Sequence, residues 1–216
     1  MKNDQTKLKK ELANFDENSD YYIALIPDKK SIDKTMKILD NQKDFLAKDN
    51  LDIRTADYLH MTAIYLPALN KINQELSKIN ISSKLSKEKL VEFIKKLIYE
   101  MNDNENYIIN KVGYLGKRSI SLWMNGNTPP IFVKSIAEFK KLIINSGLSD
   151  NEFEKFVDRA KFSTLKHYRG QEFLPHISII KVPDYVNVSE DILQKLSKLY
   201  KNMEIKINKI ELRKNG

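Results

Sequence analysis

The strongest constraint on the fold of this chain comes from two matching tetrapeptides, His60–Ala63 and His176–Ile179. Each lies in an apolar, β-prone run, Tyr58–Leu66 and Leu174–Val182, and each run predicts a strand. Side chains two positions apart point to the same face of a strand, so each motif presents an imidazole and a hydroxyl side by side. Two such strands placed close together would surround one pocket with groups suited to acid–base chemistry on a phosphate.

The simpler interpretation of either motif is a core histidine with a satisfied hydrogen bond. A histidine followed two residues later by Thr or Ser is common by chance, and one instance would indicate little. Here both instances have matching apolar flanks, and they use two of the three histidines in the chain. The repetition therefore favours a functional pair.

Length and composition predict one globular domain. The chain has 216 residues, of which 41% are hydrophobic and 31% charged, and it has no cysteine. Disulfides, a thiolate nucleophile and cysteine-ligated zinc are thereby excluded. We expect a flexible or helical extension over residues 1–20 and a single domain over 21–216. The chain has no apolar stretch near the ~20 residues that span a bilayer, and no signal-peptide core near residue 1. We therefore expect a cytoplasmic protein that binds no membrane. We also expect a monomer.

The formal net charge is +8 and comes almost entirely from lysine. A basic surface attracts polyanions such as nucleic acid without reading sequence. Lys, Asn and Ile are jointly abundant, as an AT-rich genome would produce, so the charge is only weak support for a nucleotide or RNA partner.

Periodicity and turn signals predict the element order β-α-β-α-β-β-α-(α)-β-α-β. A helix is expected from Ser31, as its N-cap, to about Lys48, and a capping box at Ser149–Glu152 should start another. The remaining predicted helices are 84–101, 131–145 and 189–201, and the strands are 21–27, 58–66, 107–115, 119–124, 174–182 and 203–212. Each histidine strand falls in one half of the chain, which suggests two similar lobes around a cleft.

At these residues the sequence resembles the 2H phosphoesterase superfamily, which includes the bacterial 2′-5′ RNA ligase and cyclic phosphodiesterase group. That family has two His-x-Thr/Ser motifs, and Pro175 stands before the second as is typical of it. The runs Val112–Leu115 and Ile120–Trp123 resemble its central strands, and the similarity covers roughly residues 21–212. The resemblance implies an α+β, bilobal fold with two pseudo-symmetric lobes, each with an antiparallel sheet and helices, and an active-site cleft between them.

The resemblance implies that His60, Thr62, His176 and Ser178 are the catalytic residues. One imidazole would act as base and the other as acid, and the two hydroxyls would donate hydrogen bonds to the phosphate. The sequence leaves open which histidine has which role. No cofactor and no metal are implied, although zinc bound by His60, His167 and His176 is a competing possibility.

Several residues are candidates for substrate binding. Lys181 stands where many bacterial members have arginine, and it would offer the phosphate a point charge in place of a bidentate contact. The loop with Lys166, Tyr168 and Arg169 is basic, and His167 within it is either a surface residue or a further phosphate contact. Aromatic rings could stack on substrate bases, and the candidates for that role are Tyr168, Tyr65, Tyr22, Tyr114, Trp123 and Phe173.

The predicted function is metal-independent cleavage of RNA or oligonucleotide phosphodiesters, with a 2′,3′-cyclic phosphate or a 2′-5′ linkage as substrate. An alternative in the same class is degradation of cyclic oligonucleotide or 2′-5′ oligoadenylate immune signals. An alternative of another class is a non-catalytic protein that binds RNA ends. Only the enzyme needs both imidazoles and both hydroxyls, so their joint presence favours catalysis.

Overall fold

A computed structural model describes residues 5–79, 84–100, 105–116, 118–125, 130–160, 175–184 and 186–215. In these ranges the strands are β1 (Tyr21–Pro27), β2 (Asp52–Ile53), β3 (Met61–Leu66), β4 (Asn106–Leu115), β5 (Ser119–Asn125), β6 (His176–Lys181) and β7 (Glu204–Lys214). The α-helices are α1 (Gln5–Ala13), α2 (Lys29–Asp40), α3 (Lys43–Ala47), α4 (Leu69–Lys78), α5 (Lys87–Glu100), α6 (Pro130–Ile144), α7 (Asp150–Ala160) and α8 (Glu190–Tyr200). A 3-10 turn, η1, covers Ala56–Tyr58.

The strands form one antiparallel sheet in the order β2-β6-β5-β4-β7-β1-β3. Strand β7 joins its two halves. The first residues of β7 pair with β4, where Glu204 faces Ile108, and its remainder pairs with β1 as far as Lys214. The motif strands therefore lie in different halves: β3 is the second strand from β7 on one side, and β6 is the third on the other.

The helices pack on both halves of the sheet, and one continuous core joins the halves. Helix α2 contacts β7 and helix α8 contacts β4, and the buried hydroxyl of Tyr200 donates to the Thr35 carbonyl oxygen at 2.9 Å across the two. Apolar side chains of both halves belong to one continuous buried cluster. The N-terminal segment contributes to it, since Leu8, Leu12 and Phe15 are buried. The motifs are thus attached to one rigid core.

The strands and most helices were predicted well, because their apolar periods are regular. Helix α6 ends before Gly147, whose φ of 106° a residue with a side chain rarely adopts, and the Ser149–Glu152 capping box is present. Met101 of the predicted 84–101 helix lies outside the described residues.

Three local predictions were wrong or incomplete. The predicted 31–48 helix is two helices, and the N-cap of the first is Asp28, whose carboxylate accepts from the Ser31 N–H at 2.7 Å. The first motif strand begins at Met61, because Tyr58 belongs to η1. Helix α4 was missed because it begins only one residue after Pro67. Strand β2 was missed because two residues are too few to show a period.

No helix in the described ranges combines the length and apolar character needed to cross a membrane.

The Asp28 cap gives a stability test. We expect Asp28→Ala to lower the free energy of unfolding by about 1 kcal/mol, because the Ser31 N–H loses its acceptor at the start of α2. Urea unfolding measures the change. The matched control is Asp33→Ala on the exposed face of the same helix, which should have little effect. Equal losses for the two variants would contradict the cap assignment.

Candidate active site

The first motif lies where η1 passes into β3. Met61 and Ala63 are buried in the core, whereas His60 and Thr62 are half-buried on the other side. This alternation follows from the two-residue period of a strand with one face on the core. The motif therefore presents its imidazole and its hydroxyl away from the core, as predicted.

The second motif shows the same alternation on β6. Ile177 and Ile179 are buried, whereas His176 and Ser178, which alternate with them along the strand, are half-buried. Ser178 is opposite the buried Ser121 of β5, and their hydroxyl oxygens are 3.1 Å apart. This contact anchors the Ser178 side chain to the neighbouring strand.

Both motifs line one pocket of about 310 Å³. Strand β3 contacts β6 across it, so residues from the two halves of the sheet meet. Among the described residues, the lining is Tyr22, Arg54, Tyr58, His60, Thr62, Tyr65, Leu115, His176, Ser178 and Asn215. These described residues supply two imidazoles and one guanidinium but no carboxylate. A concave site with this set of charges favours an anionic ligand.

The ring of His60 is held on several sides. It stacks on Tyr22 with ring centroids 5.1 Å apart and planes inclined by 25°. Its Nδ1 lies 2.8 Å from the Tyr58 carbonyl oxygen. Since a carbonyl only accepts, Nδ1 carries the hydrogen in this contact and Nε2 is left as the atom that accepts a proton. The imidazole is thus held in one orientation and one tautomer.

Arg213 of β7 approaches the same imidazole from outside the pocket. Its Nη1 donates to the Asp57 carbonyl oxygen at 3.0 Å and lies 3.5 Å from His60 Nδ1. Its Nε donates to Glu211 at 3.0 Å. Burial, with the adjacent Arg213 charge as the next cause, lowers the pKa of His60 from 6.5 to about 4. His60 is therefore neutral near pH 7.

The surroundings of His176 differ from those of His60. Its ring centroid is 5.1 Å from that of Trp123, with the planes inclined by 39°, and Trp123 is its partner in register on β5. The aromatic face of an indole attracts a cation, whereas the arginine beside His60 repels one. The two imidazoles therefore have unequal electrostatic environments.

Some of the other predicted substrate-binding residues line the pocket, and others do not. Tyr22 and Tyr65 line the pocket, and the Tyr65 hydroxyl donates to Asp20. Burial and this carboxylate raise the pKa of Tyr65 to about 12, so its hydroxyl stays protonated. Lys181, the exposed last residue of β6, is opposite Asp52 and Ser119 and does not line this pocket. Lys166, His167, Tyr168, Arg169 and Phe173 lie outside the described residues.

Sequence reasoning missed four lining residues, Arg54, Tyr58, Leu115 and Asn215, and the Arg213 contact. Tyr58 had a usable signal, because it stands two residues before His60 and hence near it in any local geometry. Arg54 is one of only five arginines in a lysine-rich chain, which is a weaker signal. Nothing in the sequence connects Arg213 with His60.

A catalytic metal would need a cluster of ligands. Within the described residues, no group of three or more His, Cys, Asp or Glu side chains is arranged to hold a metal ion. His167, the third member of the zinc alternative, lies in a part of the chain that is not described.

No protein-family model matches the sequence, and no curated protein matches it. Solved structures do match. E. coli LigT complexed with NADP+ is 12% identical with a TM-score of 0.50, over 93% of this chain and 90% of that chain. A phosphoesterase is 12% identical with a TM-score of 0.49, over 92% and 89%. The MHV ns2 PDE domain is 13% identical with a TM-score of 0.39, over 92% and 99%.

All three neighbours are members of the 2H phosphoesterase superfamily. The LigT comparison and the α+β architecture show that this chain has the 2H phosphoesterase fold. The resemblance predicted from the two motifs is thereby confirmed at the level of the fold.

The pKa of His60 can be measured directly. We expect the His60 ring signal to titrate by NMR near pH 4. Arg213→Gln should move the midpoint upward, because removing the adjacent positive charge makes protonation of the imidazole less costly. Lys206→Gln, an exposed position near the other end of the same strand, serves as the control. A wild-type midpoint near 6.5, or no response to Arg213→Gln, would contradict the electrostatic account.

Proposed function

We propose that this chain is a metal-independent phosphodiesterase of the 2H phosphoesterase superfamily that acts on RNA or oligonucleotide phosphodiesters. The observation that carries the proposal is the meeting of both His-x-Thr/Ser motifs in one pocket, whose described lining includes no carboxylate. An acid, a base and donors to the phosphate are then all available from protein side chains. The substrate bond is a 2′,3′-cyclic phosphate or a 2′-5′ linkage.

The unequal imidazoles support an assignment of roles. His60 is neutral near pH 7 and has Nε2 available, so it removes the proton from the attacking oxygen. That oxygen forms the new bond to phosphorus while the bond to the leaving oxygen breaks. His176 enters the cycle protonated and gives its proton to the leaving oxygen. A proton exchange between the two histidines and solvent then restores the starting state.

The hydroxyls stabilise the charge that develops on the non-bridging oxygens. Ser178 shares a 3.1 Å contact with Ser121, so Ser121 can accept or donate as Ser178 turns to the phosphate. Thr62 lies on β3, where it is paired with Ala24 of β1. Donors held in this way stabilise a transition state without reorganising during the reaction.

A nucleotide substrate is consistent with the neighbouring fold and with the charge of the chain. LigT was solved with a bound dinucleotide, NADP+, and this chain has a net charge of +8. Lys166, Tyr168 and Arg169 are proposed to extend the binding surface along a longer substrate. Degradation of 2′-5′ oligoadenylate or cyclic oligonucleotide signals uses the same chemistry and differs only in the substrate.

The proposal is tested by incubating the protein, with EDTA present throughout, with 2′,3′-cyclic nucleotides, 2′-5′ and 3′-5′ oligoadenylates and cyclic dinucleotides. Mass spectrometry identifies the products. Cleavage in EDTA supports the two-histidine mechanism. Binding without cleavage of any substrate would favour a non-catalytic RNA-end-binding protein, and activity that requires added zinc would favour a metal site.

The two histidines should act as one unit. We expect His60→Ala and His176→Ala each to lower kcat by at least ~100-fold, since general acid–base catalysis supplies that much or more. The double variant should be little worse than the worse single variant. Circular dichroism checks that each variant is folded. Near-full activity in either single variant would contradict the mechanism.

Removing the hydroxyls should also act on kcat. We expect Thr62→Val and Ser178→Ala each to cost about 2–4 kcal/mol of transition-state stabilisation. Thr35→Val in α2 and Ser146→Ala in the turn after α6 are matched controls, because each makes the same replacement outside the pocket. A change confined to KM would mean that the hydroxyls bind substrate and transition state equally.

A further inference from the structure

The rim of the pocket has an unusual aromatic residue. Tyr58 lines the pocket, yet 57% of its surface is exposed, the largest fraction among the exposed large hydrophobic residues of the described chain. Its position is nevertheless well determined, since its N–H donates to the Thr55 carbonyl oxygen at 2.9 Å. Its own carbonyl oxygen accepts from His60 at 2.8 Å. A ring on this backbone is held beside the imidazole with much of its surface open.

Arg54 lies over that ring. The guanidinium carbon is 5.1 Å from the Tyr58 ring centroid, and the Arg54 backbone N–H donates to the Ile179 carbonyl oxygen on β6 at 2.9 Å. The arginine is thus attached to the second motif strand while its side chain contacts the residue that orients the first histidine. It links both sides of the pocket.

Within the described residues, the charge of Arg54 is not neutralised, because no carboxylate there forms a salt bridge with Arg54 and none lines the pocket. The N–H groups of a guanidinium lie in one plane, from which they can donate to phosphate oxygens. Arg54, placed over the Tyr58 ring in the pocket lining, therefore suits an anion in the pocket.

We propose that Arg54 and Tyr58 form a nucleotide-recognition subsite, in which Arg54 binds a non-bridging phosphate oxygen and the open face of Tyr58 stacks on the adjoining base. This inference rests on the proposed function and specifies how its substrate is held. The ligand class is a nucleoside phosphate ester. Arg54 here takes the role of phosphate cation that the sequence assigned to Lys181, which lies outside the pocket lining.

The two residues should respond to different parts of the ligand. Stacking on an aromatic side chain contributes about 1–3 kcal/mol per base, which corresponds to about 5- to 150-fold in Kd at 1.4 kcal/mol per tenfold. Tyr58→Ala should therefore weaken adenosine 2′-monophosphate by that factor and leave inorganic phosphate unchanged. Arg54→Gln should weaken both ligands, because both present phosphate oxygens. Tyr58→Phe should bind as the wild type does.

Calorimetric titration of the full chain with adenosine 2′-monophosphate and with inorganic phosphate measures these constants. The matched controls are Tyr99→Ala, an exposed tyrosine on α5, and Arg159→Gln on α7, and neither should change binding. The inference is overturned if the wild type binds neither probe, if Tyr58→Ala weakens both probes equally, or if Arg54→Gln leaves both unchanged. The binding measurement needs no turnover, so it tests the subsite separately from the enzyme. If the protein shows the expected binding pattern but cleaves none of the substrates, the proposed enzyme is rejected and the subsite is retained.

Discussion

The pairing of β7 with two different strands is the interaction on which the rest of the structure depends. Its first residues hydrogen-bond with β4 and its remainder with β1, so one strand belongs to both halves of the sheet. The junction is reinforced at its edges, where the Ile109 N–H donates to the Met203 carbonyl oxygen at 2.9 Å. Because β7 holds the two halves together, β3 of one half contacts β6 of the other, and the two motifs line one pocket.

The same strand also gives the pocket its electrical asymmetry. Arg213 extends from the far end of β7 to within 3.5 Å of His60 Nδ1, whereas His176 lies beside the indole of Trp123. The proposed mechanism needs one imidazole to be neutral at the start of the reaction. Burial and the adjacent Arg213 charge keep His60 in that state near pH 7.

Local patterns were sufficient for the strands and for the motif residues but not for the rest of the site. Alternation over β6 identified His176 and Ser178 as neighbours on one face, since the period of a strand is a property of its backbone. The N-cap of α2 was misplaced by three residues, because Asp28 and Ser31 are both good capping residues and only the hydrogen bond decides between them. Lys181 was expected near the phosphate from its position in the motif, yet its side of the strand keeps it out of the pocket lining.

The sequence by itself determined that two imidazole–hydroxyl pairs would project from strands, because side-chain direction along a strand depends only on local geometry. It also limited the chemistry, since a chain without cysteine has no thiolate to offer. Only the tertiary structure decided which distant groups surround those pairs. Arg54, Tyr58 and Arg213 reach the pocket through β-pairing and a 3-10 turn, and such long-range contacts leave no period in the sequence. Arg213 also helps to lower the pKa of His60.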